Sequence, residues 1–132
     1  MTKVFLTFLL LATSLFAELI NQPLTKKLLN SNIPIVDIRT PGEWKETGIT
    51  KDAVRIMFFD ERGQYNVEAF LDELNKKVDT KKQFALICRT GSRTKVVSSF
   101  LSQKLGYNVI NIQGGITQAI RRGLPVEPYR GR

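Results

Sequence analysis

Short apolar runs alternate along this chain with stretches in which apolar residues recur at helical spacing. The runs that predict strands are Ile33–Ile38, Val54–Phe58, Phe84–Cys88 and Asn108–Ile112. The stretches that predict helices are Pro23–Asn30, Val67–Val78, Arg93–Leu105 and Ile116–Arg122. This alternation predicts a single α/β domain with a mostly parallel central sheet and helices on both faces.

The segment Thr40–Glu43 predicts the start of one more helix. Thr40 is a suitable N-cap, Pro41 fits the first helical position, and Glu43 completes a capping box. In parallel sheets the binding crevice lies at the carboxyl ends of the strands. Candidate functional residues are therefore those that directly follow a predicted strand.

The first 17 residues have the layout of a secretory signal peptide, with Lys3, an apolar stretch and a final Ala17. A membrane-spanning helix needs roughly 20 apolar residues, and this stretch is shorter and interrupted by polar residues. We predict cleavage after Ala17 and one domain over residues 18–132. The protein would then be periplasmic or secreted, with no stable membrane insertion after signal removal. The alternative is an uncleaved anchor or a buried N-terminal helix.

Charge and composition exclude several classes of function. Residues 18–132 hold 19 Lys and Arg against 12 Asp and Glu, a formal charge of +7 that attracts anionic molecules or acidic partners. Nucleic acid is not an expected partner, because no basic stripe is interleaved with aromatic residues. The chain has no histidine, which excludes Ser-His and Cys-His pairs and histidine metal sites. Its single cysteine excludes an intrachain disulfide and a thiolate cluster, so we expect no metal and no cofactor.

That single cysteine lies where a predicted strand changes into a predicted helix. The connecting loop reads Cys88-Arg89-Thr90-Gly91-Ser92-Arg93. Such a turn directs backbone N–H groups and the positive end of a helix dipole toward its interior, which favours a thiolate. Two arginines can bind an oxyanion, Gly91 allows close backbone approach, and the Thr90 and Ser92 hydroxyls are further donors. The alternative is a buried, unreactive cysteine at the end of a strand.

This loop resembles the active-site loop of the rhodaneses, which are thiosulfate sulfurtransferases. Val36–Trp44 is similar to the first signature of that family, and Asn111–Ile116 and Gly123–Val126 resemble its closing segment. The resemblance implies a single rhodanese domain in which Cys88 becomes a persulfide and the backbone N–H groups of residues 89–93 hold the outer sulfur. Asp37 and Arg39 match family positions beside the loop, and we expect them to support it through an internal ion pair or hydrogen bonds.

We therefore expect a sulfurtransferase that moves sulfane sulfur from thiosulfate, or a similar small anionic donor, to a thiol, cyanide or protein acceptor. Arg89 and Arg93 would hold the anionic leaving group. One alternative is a persulfide carrier or partner-binding module without turnover, which would have the same loop. Another is a phosphatase or arsenate reductase. Phosphatases place five residues between cysteine and arginine, whereas four separate Cys88 from Arg93, and an arsenate reductase needs a second thiol.

Overall fold

The computed structural model describes residues 17–131, so the predicted signal peptide lies, apart from Ala17, outside the described residues. In chain order the elements are β1 (Leu19–Pro23), α1 (Lys26–Leu29), β2 (Ile35–Asp37), α2 (Pro41–Thr47), β3 (Val54–Arg55), α3 (Val67–Lys77), β4 (Phe84–Ile87), α4 (Ser92–Leu105), β5 (Val109–Gln113) and α5 (Gly115–Arg121). Within residues 17–131, no helix combines the length and apolar character needed to cross a membrane.

The five strands form one sheet in the order β1-β5-β4-β2-β3, and every neighbouring pair is parallel. Strand β4 is the central strand, with β5 on one side and β2 on the other. The predicted α/β fold with a parallel sheet is therefore confirmed. Because β4 ends at Ile87, Cys88 lies at the carboxyl edge in the middle of the sheet.

The side chains of β4 enter two separate apolar cores, and all four are buried. Phe84 and Leu86 pack into the core that also receives apolar residues of α3 and α4. Ala85 and Ile87 point to the opposite face, where residues of α1 and α5 complete a second core. Successive side chains of a strand point to opposite faces of the sheet, and helices cover both faces here. Every residue of β4 is therefore buried, which requires a continuous apolar run.

The start of α2 matches the sequence prediction. The Thr40 hydroxyl accepts a hydrogen bond from the Glu43 backbone N–H, and the Glu43 carboxylate accepts one from the Thr40 backbone N–H. Pro41 occupies the first turn, where a backbone N–H is not required. This capping box fixes the direction in which the chain leaves β2.

The N-terminal part of the domain differs from the prediction. Leu19–Pro23, which was not predicted as a strand, pairs with β5 over its whole length. The predicted helix Pro23–Asn30 is correspondingly shorter: Pro23 ends β1, Thr25 is the N-cap, and α1 covers only Lys26–Leu29. The pairing partner of β1 is about 90 residues away in the chain, so local pattern carries little information about it.

Two leucines of α4 test the packing of the first core. Leu101 is completely buried, whereas Leu105 on the same helix is 38% exposed. We expect Leu101→Ala to lower the free energy of unfolding by about 2 to 5 kcal/mol, because it leaves a cavity in the core. Leu105→Ala should change it by no more than about 0.5 kcal/mol. Urea denaturation of both variants measures the difference, and equal losses would contradict the packing described above.

Candidate functional site

The Cys88 side chain is completely buried at the end of the central strand. The Gly91 backbone N–H donates a hydrogen bond to Cys88 Sγ at 3.2 Å. Gly91 is also the N-cap of α4, and no side-chain hydrogen bond caps that helix. The sulfur therefore lies at the N-terminus of a 14-residue helix, where the macrodipole and the free first-turn N–H groups favour negative charge.

The direction of the loop backbone is set by α5. The Cys88 carbonyl accepts a hydrogen bond from the Ile116 N–H at 2.9 Å, and the Arg89 carbonyl accepts one from the Thr117 N–H at 3.0 Å. In a trans peptide the carbonyl and the N–H point in opposite directions. Holding both carbonyls toward α5 consequently turns the N–H groups of Arg89 and Thr90 away from that helix.

Two glycines allow the loop and the start of α5 to approach this closely. Gly91 has φ +99°, and a Cβ on it would lie 2.9 Å from the Gly114 nitrogen. Gly115 has φ +59°, and a Cβ on it would lie 2.6 Å from the Cys88 carbonyl oxygen. Both positions thus combine a left-handed backbone with a contact that leaves no room for a side chain.

Thr94 is a site residue that the sequence reasoning did not select. It is completely buried, and its Oγ1 lies 3.6 Å from Cys88 Sγ and donates to the Gly91 carbonyl at 3.3 Å. A hydroxyl has one proton and two lone pairs, so Thr94 can accept from a Cys88 thiol while it donates to Gly91, or turn its proton from Gly91 to a thiolate. Its signal in the sequence is a hydroxyl residue in the first helical turn after the loop.

The remaining loop residues lie at the surface. The side chains of Arg89, Thr90 and Ser92 are exposed. The Arg89 guanidinium makes no hydrogen bond or ion pair with any residue between 17 and 131. Its positive charge is therefore available to an anion that approaches the loop from solvent.

Arg93, the second predicted anion-binding residue, is held by Glu43. The two side chains form a bidentate pair, with Nη1 to Oε1 and Nη2 to Oε2 both at 2.8 Å. The hydrogen bond from Arg93 lowers the pKa of Glu43 to about 2 against the opposing effect of burial, and the same bond raises the pKa of Arg93. The charge of Arg93 is therefore already balanced inside the protein.

Asp37 and Arg39 form an ion pair in which both side chains are fully buried. Arg39 Nε donates to Asp37 Oδ1 at 2.9 Å, and Nη2 donates to Oδ2 at 2.8 Å. The guanidinium also donates to Thr47 Oγ1 at 2.7 Å and to the Gly48 carbonyl at 2.8 Å. These bonds connect the end of β2 to the far end of α2, beside the strand that carries Cys88.

Two cavities adjoin the loop on opposite sides. The Lys95 cavity has a volume of about 240 Å³ and is lined by Asn21, Thr90, Gly91, Lys95, Asn111, Gln113 and Gly114. The Glu43 cavity has a volume of about 600 Å³ and is lined by Thr40, Glu43, Phe59, Asp60, Glu61, Gly63 and Arg93. In the part of the chain that the structure describes, no three Cys, Asp or Glu side chains are grouped so that they could hold a metal ion.

The family profile described as Rhodanese-like domain matches residues 18–121 of this chain. The chain belongs to the rhodanese-like domain family. It is 36% identical over 92 residues to an uncharacterized protein of Rickettsia prowazekii, covering 67% of this chain and 72% of that one. It is 28% identical over 115 residues to a protein of Allochromatium vinosum named sulfurtransferase, covering 86% of this chain and 97% of that one.

The fold is shared with solved structures. A protein of Mycobacterium tuberculosis superposes with a TM-score of 0.66 at 20% sequence identity, covering 86% of this chain and 99% of its own. At this level of identity the similarity concerns the fold alone. It agrees with the five-stranded parallel sheet described above.

The Glu43–Arg93 pair makes a testable contribution to stability. Because the pKa of Glu43 in the folded protein, about 2, lies below its ordinary value of 4.5, the pair stabilises the fold above pH 4.5. That contribution is lost as the pH falls from 4.5 toward 2. We expect Glu43→Gln to lower the free energy of unfolding at pH 7, because it removes the charge that binds Arg93. The pair is partly exposed, so the expected loss is about 1 to 2 kcal/mol, between the values for surface and buried pairs.

The difference between wild type and Glu43→Gln should narrow toward zero near pH 2, as followed by urea denaturation at a series of pH values. Glu46→Gln is the matched control, because Glu46 lies exposed on the same helix. A difference that stays constant from pH 7 to pH 2 would contradict the role assigned to the pair.

Proposed function

We propose that this protein is a sulfurtransferase in which Cys88 carries sulfane sulfur as a persulfide. The observation that supports this most directly is the position of Cys88 Sγ at the start of α4 with the Gly91 N–H donated to it. A group that alternates between thiolate and persulfide anion is negative in both states. Backbone donors and a helix dipole stabilise that charge in both states without moving.

In the first proposed step, the Cys88 thiolate attacks the outer sulfur of thiosulfate. A new S–S bond forms at Cys88 Sγ, the S–S bond within thiosulfate breaks, and its electron pair leaves with sulfite. Sulfite departs as an anion without being protonated, so the step needs no general acid or base. This fits a chain that contains no histidine.

In the second proposed step, a thiophilic acceptor attacks the outer sulfur of the persulfide. The bond between Cys88 Sγ and that sulfur breaks, and its electron pair returns to Cys88 as a thiolate. The Gly91 N–H is already in place to stabilise that thiolate, and the Thr94 hydroxyl lies close enough to join it. Cys88 is then ready for another donor molecule.

The surroundings of the loop favour a sulfur atom over a phosphoryl group as the transferred group. Phosphoryl transfer requires donors around three equatorial oxygens, typically including an unengaged guanidinium. Here four residues separate Cys88 from Arg93, and both nitrogens at the tip of Arg93 are bound to Glu43. The exposed Arg89 remains as the side-chain cation of the loop.

The proposed reaction predicts a defined behaviour of Cys88 variants. Incubation of the protein with thiosulfate should add the mass of one sulfur atom, measured by intact mass spectrometry, and cyanide should then remove it as thiocyanate. Cys88→Ser should show neither change. The proposal fails if wild type forms no adduct, or if the serine variant turns over equally well.

Two further outcomes of the same experiment separate the alternatives. If a sulfur adduct forms and cyanide cannot remove it, the protein would be a carrier that passes sulfur to a protein partner, and not an enzyme that turns over thiosulfate. Release of phosphate from an aryl phosphate that depends on Cys88 would favour the phosphatase alternative instead.

The two arginines of the loop should behave differently in thiosulfate turnover. We expect Arg89→Gln to raise the KM for thiosulfate about tenfold or more, because a charge-assisted hydrogen bond contributes about 1.5 to 3 kcal/mol. Arg93→Gln should mainly lower the unfolding free energy, because it breaks the pair with Glu43. Steady-state kinetics and urea denaturation of both variants measure this, and a larger KM effect at Arg93 would overturn the assignment.

We also propose that residues 1–17 direct export to the periplasm or the medium. The layout of those residues supports this, and a lone thiol avoids an internal disulfide in an oxidising compartment. The intact mass of protein recovered from the periplasm of a bacterial host tests it, since cleavage after Ala17 leaves Glu18 as the first residue.

A further inference from the structure

We propose that the Lys95 cavity binds the sulfur acceptor, and that this acceptor is a small thiol of the cysteine type, which carries a carboxylate and an N–H group. This inference rests on the proposed function, because it assigns a site to the molecule that discharges the Cys88 persulfide. It goes further in naming the chemical class of that molecule and the residues that select it.

The position of the cavity suits an acceptor. Gly91, whose N–H binds Cys88 Sγ, and its neighbour Thr90 form part of the cavity wall. Cys88 itself is fully buried and is not among the lining residues, so the cavity would hold the carboxylated end of the acceptor while its thiol reaches past Gly91 to the persulfide. With a volume of about 240 Å³, the cavity is smaller than the pockets of about 300 to 1,000 Å³ that hold drug-sized ligands, which favours a small molecule.

The charge of the cavity selects an anion. Lys95 is exposed, and its side chain makes no ion pair or hydrogen bond within residues 17–131. No acidic residue is among the residues that line the cavity. The Glu43 cavity on the other side of the loop has the opposite character, because Asp60 and Glu61 line it and its arginine is already paired with Glu43. An anionic acceptor is therefore attracted to the Lys95 side and repelled from the other.

A buried amide in the same cavity indicates that the ligand also has a hydrogen-bond donor. Asn111 is 3% exposed, and its Nδ2 donates to Asn21 Oδ1 at 2.8 Å. Its Oδ1 is buried and has no hydrogen-bond partner in the part of the chain that the structure describes. Leaving a buried acceptor without a hydrogen bond is costly, so such atoms are uncommon. Asn21 is an exposed residue of the edge strand β1, and rotation of its side chain would open Asn111 to an N–H of the ligand.

The transfer itself explains why a cation beside the loop is useful. The acceptor thiolate attacks the outer sulfur of the Cys88 persulfide, the bond from that sulfur to Sγ breaks, and the electron pair stays on Sγ. The products are the Cys88 thiolate and the persulfide of the acceptor, so no oxidant or reductant is consumed. Both reactants are anions and repel each other. Lys95 offsets that repulsion and holds the carboxylate while the thiolate reaches the loop.

A matched pair of thiols tests the inference. N-acetyl-L-cysteine carries a carboxylate, and N-acetyl-L-cysteinamide has a neutral amide in its place with the same thiol and the same N–H. The measurement is kcat/KM for each thiol with thiosulfate as donor, expressed as the ratio of the two. The intrinsic reactivities of the thiols cancel when this ratio is compared between variants.

We expect Lys95→Gln to lower the preference for the carboxylated thiol about two- to fivefold, which is the upper part of the range for loss of one exposed charge contact. Lys95→Arg should retain most of the preference, and Lys95→Glu should lower it further. Lys104→Gln is the matched control, because it removes the same charge from the same helix about 13 Å farther along. Its ratio should equal that of wild type.

The outcomes separate this inference from the function on which it rests. If wild type passes sulfur to neither thiol nor to cyanide, the proposed function itself is wrong. If wild type passes sulfur but the ratio is unchanged in Lys95→Gln, only the acceptor site is wrong. If the ratio falls in Arg89→Gln and not in Lys95→Gln, the carboxylate of the acceptor binds Arg89 and not Lys95. That result would overturn the assignment to this cavity.

Discussion

Two backbone hydrogen bonds, from Ile116 and Thr117 to the carbonyls of Cys88 and Arg89, determine the shape of the loop around the thiol. Each contributes only about 0.5 to 1.5 kcal/mol to stability, which is small beside the two apolar cores. Their importance is directional. They fix which way two successive peptides face, and Gly91 and Gly115 allow the approach that makes them possible. The placement of the Gly91 N–H on Cys88 Sγ depends on this arrangement.

Helix α2 connects the remaining parts of the site. Its far end is bound by the buried Arg39, and its first turn carries Glu43, which binds Arg93 at the start of α4. Glu43 Oε1 also accepts from the Thr40 backbone N–H at 3.2 Å, so one carboxylate both caps α2 and holds α4. A helix of seven residues thereby links the end of β2 to the start of α4, through hydrogen bonds that a guanidinium donates at each of its ends.

The parts of this protein that local physics determines could be predicted from the sequence. The capping box at Thr40, the amphipathic helix from Val67 and the central strand before Cys88 each depend on residues close together in the chain. The strand β1 could not be predicted, since its partner lies about 90 residues away and its own sequence has no long apolar run. The Glu43–Arg93 pair could not be predicted either, because its partners are 50 residues apart. Glu43 was already explained as part of a capping box, and Arg93 as a ligand for an anion.

The two cavities also depend on residues that are far apart in the chain. The sequence identifies the loop, but the side chains that differ between its two sides come from β1, α4 and β5 on one side and from α2 and the segment after β3 on the other. Asn111 and Lys95 have no motif of their own. Their proximity results from strand register and from the angle at which α4 leaves the loop.

Because the loop carbonyls are held by a helix that begins at Gly115, the surroundings of the thiol depend on a segment that is synthesised after the loop. A chain that has emerged only as far as α4 contains Cys88 and its arginines but not the N–H groups that orient the loop. The arrangement of the backbone around Cys88 is therefore coupled to synthesis of the chain through α5.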